Sequence, residues 1–112
     1  MILTAIILYA LAASIGIFLI VLGVRYHRSS LKTGLVHASL ALIASGFLAA
    51  QIINGSLNKF NNVAALLMVL ALVGGAMLFG LREPGKAPPM VMVAIHAIMA
   101  FAGLSLLIVG YQ

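Results

Sequence analysis

The sequence predicts an all-α fold: a four-helix transmembrane bundle, up-down-up-down, made of two pseudo-symmetric helical hairpins. Three observations carry that expectation. Of 112 residues, 65% are hydrophobic and 6% charged, against roughly 25% charged in a soluble domain. The apolar residues fall into four runs, each close to the about 20 residues that cross a bilayer. The second half of the chain also resembles the first at a constant offset. Four spans leave no stretch for a soluble catalytic domain, so residues 1–112 read as a single membrane domain.

The first helix is expected over about 2–24. No basic residue precedes it, and the run continues well past Ala10-Leu11-Ala12, so it reads as a retained helix rather than a cleaved signal peptide. The second covers about 31–53 and is closed by Asn54-Gly55-Ser56, glycine suiting the residue just past a helix end. The third runs over about 62–81, after the polar Asn58-Lys59-Phe60-Asn61. The fourth runs over about 89–109, opened by Pro88-Pro89, which suits a first helical turn.

Charge sets the orientation. Arg25, Arg28 and Lys32 flank the first loop, Arg82 and Lys86 the third, and Lys59 stands alone in the second. The positive-inside rule then places loops one and three in the cytoplasm and both termini on the other side. The expected location is a bacterial inner membrane. The net charge of +5 rests on six cations interleaved with apolar runs, which is a topology signal and not a phosphate-binding face, so nucleic acid is excluded as a partner. With no cysteine, any cofactor has to be held by histidine, methionine or oxygen.

Laying residues 1–53 over 60–112 without a gap gives 11 identities in 53 positions, against about four or five by chance in a chain this rich in Ala and Leu. Among them are Ala12 with Ala71, Gly16 with Gly75, His37 with His96 and Ala41 with Ala100. Each half is then one hairpin, and helices two and four occupy opposite corners of the bundle. The recurrent Ala12-x-x-x-Gly16 and Ala71-x-x-x-Gly75 read as small-residue helix packing.

An ionisable side chain inside a span is costly and marks function by default. His37 and His96 each lie roughly 9 to 10 Å from the cytoplasmic helix ends, so they are level. Across a bundle diagonal of about 11 to 14 Å they are too far apart for a direct hydrogen bond. They can instead ligate one iron from either side, with a porphyrin standing between the helices. Gly34 and Ala41 on helix two, with Ala100 and Gly103 on helix four, share the histidine faces and leave room for a flat ring. They serve close helix packing equally well.

Arg25, Arg28 and Lys32 are candidate partners for haem propionates, although positive-inside retention alone also explains them. For each imidazole the second ring nitrogen needs an acceptor. Thr33, four residues before His37, is the candidate there. No equivalent precedes His96, so the symmetry is expected to break at this level. His27 reads as a solvated loop residue, Met92 and Met99 as packing. Glu83 is the only acid, which excludes a carboxylate pair for acid-base work.

On His37 and His96 in parallel helices, the chain resembles the small four-helix membrane cytochromes b, a class that includes the cytochrome b561-type electron carriers. The resemblance covers the whole chain as architecture. It implies one haem b per chain with both histidines as iron ligands, passing single electrons between a quinol or a redox partner protein and another centre. It points to an electron carrier or a subunit of a redox complex more than to an autonomous enzyme. Many members carry four histidines for two haems. One pair implies one haem near the cytoplasmic face, with a partner or a homo-oligomer bridging the rest of the membrane. The competing reading is a non-redox accessory subunit of a larger membrane complex, whose histidines hydrogen-bond between helices. A small transporter is a third, weakened by the lack of acids and of helices broken near the midplane.

Overall fold

The computed structural model describes residues 2–26, 28, 30–55, 59–81, 83 and 88–111. Four helices account for nearly all of them: α1 (Ile2–Arg25), α2 (Leu31–Asn54), α3 (Lys59–Gly80) and α4 (Met90–Tyr111). At 22 to 24 residues each, they are about 33 to 36 Å long, enough for a hydrocarbon core of about 30 Å. All four are apolar enough to cross a membrane, and the bundle measures 44 × 21 × 20 Å. Large apolar side chains face outward all round it, with Ile53 82% and Val91 74% exposed. In water that surface is untenable; in lipid it is the expected one.

The helix ends are finished by local chemistry. Ser30 caps α2: its Oγ accepts the Thr33 N–H at 3.2 Å and donates to Thr33 Oγ1 at 2.9 Å. At the end of α1 the Tyr26 and Arg28 N–H groups both reach the Leu22 carbonyl, at 3.2 and 3.0 Å, which satisfies an acceptor that a helix end otherwise leaves open. Gly55 follows α2 in extended backbone, φ −150°, and not in the left-handed conformation its sequence suggests. Helix α3 begins at Lys59, three residues earlier than its apolar run. The polar first turn is helical because one side of it packs inward: Asn61 is 6% exposed. Pro89 stands just before α4 and its carbonyl accepts the Val93 N–H at 3.1 Å.

Helices α1 and α2 pack closely, as do α3 and α4; α1 also lies along α4 and α2 along α3. The pairs α1/α3 and α2/α4 do not touch as backbones, so the histidine-bearing helices are diagonal, as the hairpin repeat requires. The buried positions repeat with the same offset: Ala5 with Ala64, Tyr9 with Met68, Ala12 with Ala71, Ala44 with Gly103 and Leu48 with Leu107. Most of these form one cluster at the end that carries both chain termini. The symmetry lapses in one detail. Tyr9 Oη lies 2.6 Å from Ser45 Oγ, whereas its counterpart Met68 lies over the bare backbone of Gly103, where a Cβ would come within 3.2 Å of the sulfur.

Candidate functional site

Beyond that packed end, toward the first and third loops, the four helices surround a cavity of about 580 Å³, within the range of small-molecule and cofactor sites. Its walls are apolar and, beside the histidines, small: Gly34, Ala38 and Ala41 from α2, Ala97 and Ala100 from α4, Gly16 and Gly75 from α1 and α3. Phe79 and Phe101 add two aromatic rings, and Arg28 and Ser30 stand at the loop end. The two remaining seams between helices differ. On α3, Val73 and Ala76 line the cavity and are exposed, as does Leu42 across from them on α2; the matching Ser14 and Ile17 of α1 do not line it. The cavity therefore reaches the lipid-facing surface between α2 and α3.

His37 and His96 both line this cavity, half-buried. Each is fixed by the first helix of its own hairpin. His37 Nδ1 lies 2.7 Å from the carbonyl oxygen of Ala12, and His96 Nδ1 lies 2.7 Å from that of Ala71. A carbonyl only accepts, so Nδ1 carries the proton and donates in both cases. In the neutral imidazole, Nε2 is then an unprotonated lone pair. The ring centroids are 6.1 Å apart and the planes 80° apart. Among the described residues no group of three or more His, Cys, Asp or Glu side chains that could hold a metal ion exists.

The sequence expectations sort as follows. His37, His96, Gly34, Ala41 and Ala100 all border the cavity. Gly103 does not: at seven residues from His96 it is two turns further along, inside the packed end, against Met68. Of the three candidate cations, Arg28 borders the cavity. Arg25 ends α1 outside it, exposed. Lys32 lies in a shallow recess on the outer face of α1 and α2 with Ser14, Phe18 and Val36, because it is rotated about 140° from His37 around the helix. Thr33 is not the acceptor for His37; its hydroxyl serves the Ser30 cap, and the Ala12 carbonyl takes that role. The two histidines thus have matching acceptors, and the expected break in symmetry does not occur. Neither Met92 nor Met99 borders the cavity, while His27, Arg82 and Lys86 lie outside the described residues.

Sequence reasoning missed the histidine acceptors and the glycines that follow them. The signal was there as the Ala-x-x-x-Gly pattern, which precedes its histidine by 25 residues in both hairpins. No known protein family, curated protein or solved structure matches the chain.

Proposed function

We propose that this protein is a membrane b-type cytochrome that holds one haem between His37 and His96 and carries electrons one at a time. One observation carries the reading: two repeat-related imidazoles, each with Nδ1 committed to a carbonyl, stand with centroids 6.1 Å apart across an apolar cavity. Two imidazole–metal bonds of about 2 Å, with about 1.1 Å from each Nε2 to its ring centre, would span about 6.2 Å. That agreement supports an iron between the rings. Among the described residues no third His, Cys, Asp or Glu stands with them, so a metal held here would take its remaining ligands from a group such as a porphyrin. Small residues on the histidine-bearing helices, Gly34, Ala38, Ala41, Ala97 and Ala100, leave room beside the pair.

When bound, such a haem supplies a one-electron redox couple. The protein's contributions follow from its residues. The carbonyl bonds hold both imidazoles in the tautomer that leaves Nε2 free to ligate. With His37 and His96 both holding the iron, the chain would suit electron transfer rather than oxygen binding. The apolar walls exclude water, and Arg28 at the loop end offers a charged donor for a carboxylate. The opening between α2 and α3 suits exchange with a reductant from the bilayer, a quinol or the edge of a partner protein. By charge, this is an inner-membrane protein with both termini non-cytoplasmic and the haem nearer the cytoplasmic face.

A second reading has its own support. Each His–carbonyl bond also ties one hairpin together, as an interhelical polar contact worth about 0.6 to 2 kcal/mol in lipid, which suits a non-redox accessory subunit. The two readings separate on colour. Haem ligation requires that His37→Ala and His96→Ala each abolish the visible absorption of protein purified from haem-replete cells. The accessory role gives a colourless wild type and only a modest loss of stability in the variants.

A further inference from the structure

Each imidazole is held by more than its hydrogen bond. One turn after each accepting alanine comes a glycine, and its bare backbone lies against the ring. A Cβ at Gly16 would sit 3.0 Å from His37 Cε1, and one at Gly75 3.2 Å from His96 Cε1. Both approaches are closer than a methyl group tolerates without displacing its neighbour. The Nδ1 bond fixes where each ring points, and the glycine contact limits how far it turns about that direction. The outcome is the 80° angle between the planes. Gly46 and Gly80, also helical, have nothing within 4 Å of an added Cβ.

Resting on the haem reading above, we propose that Gly16 and Gly75 are positioning residues that set the two axial imidazole planes nearly perpendicular and so fix the electronic state of the ferric iron. The axial ligands and their orientation are among the levers a protein has on haem iron. Each imidazole raises mainly the one iron d orbital that overlaps its π system. Perpendicular rings raise both members of the orbital pair alike and keep them nearly degenerate, whereas parallel rings split them. Near-degeneracy gives low-spin ferric iron a strongly anisotropic paramagnetic resonance with one dominant, large g component. A clear split gives three resolved components.

The test is the electron paramagnetic resonance spectrum of the oxidised, haem-loaded wild type beside Gly16→Ala, Gly75→Ala, Gly46→Ala and Gly80→Ala. The wild type should give the strongly anisotropic signal, and the first two variants should lower the largest g value toward the three-component form. The last two should leave it unchanged. A haem-loaded wild type with three resolved components overturns the proposal, as do Gly16→Ala and Gly75→Ala proteins that bind haem and keep the wild-type g values. Loss of haem from a helical Gly16→Ala or Gly75→Ala protein, with Gly46→Ala still loaded, supports the positioning role. If those two variants fail to fold, the wild-type spectrum decides. A colourless wild type removes the haem reading itself and this proposal with it.

Discussion

The two ends of this bundle use the same four helices in opposite ways. At the end carrying the termini, Tyr9, Leu48, Met68 and Leu107 fill the interior, and Leu107 is fully buried. At the loop end the equivalent inward positions are Gly34, Ala38, Ala41, Ala97 and Ala100, and the interior is a cavity. Both ends face the same lipid and share the same helical periodicity, so neither composition nor pattern strength distinguishes them. What differs is the reach of particular inward side chains on α2 and α4, Leu48 and Leu107 at one end and Ala41 and Ala100 at the other. One end holds the bundle together by close packing, while the other gives up that packing around two histidines. A protein that stabilised itself uniformly would have filled the loop end, and the proposed function rests on that difference.

Substitutions can break that contrast from either side. The largest effect falls on the histidines: His37→Ala or His96→Ala should remove essentially all bound haem, read as loss of the Soret band, with helical circular dichroism retained because the packed end is untouched. Next come variants that fill the hollow. Ala41→Leu and Ala100→Leu should lower haem occupancy at least about tenfold, a penalty of about 1.4 kcal/mol or more, while the haem-free protein unfolds no more easily than wild type. Leu107→Ala does the converse at the packed end. It should cost about 2 kcal/mol in detergent unfolding, near the lower end for buried leucine, because lipid weakens the hydrophobic term and leaves the packing term. The haem spectrum should not change.

Three substitutions of smaller effect sharpen the comparison. Arg28→Gln should weaken haem retention several-fold, by about 1 kcal/mol if it removes one charge-assisted contact, and Lys32→Gln should not, since Lys32 lies on the outer face. Competition by an apo-protein acceptor measures both. Tyr9→Phe removes the hydroxyl that meets Ser45 and should cost about 0.6 kcal/mol. The symmetry-related Met68 position shows that an apolar side chain is accommodated there.

Much of this was legible in the sequence, and the losses have physical causes. Four spans follow from length and hydropathy, and the diagonal placement of His37 and His96 follows from the repeat. The acceptors were not legible because every residue has a carbonyl, so the partner of His37 depends on which turn of α1 faces it and not on residue type. Thr33 lost its assigned role for a local reason: a hydroxyl in the first turn of a helix is claimed by the cap. Gly103 shows where helical-wheel reasoning stops, since a face shared with His96 runs the whole length of α4 and passes from the cavity into the packed end. Gly16 and Gly75 were visible as a motif, but small residues that admit a helix and small residues that admit an imidazole look alike until the ring is placed.

The most direct test of the account is the visible absorption spectrum of the purified wild-type protein before and after dithionite, with haem counted against chain. The account predicts one haem per chain, with a Soret band and sharp reduced α and β bands characteristic of a six-coordinate, low-spin site. A well-folded, colourless protein from haem-replete cells, unable to take up added haem, would contradict it.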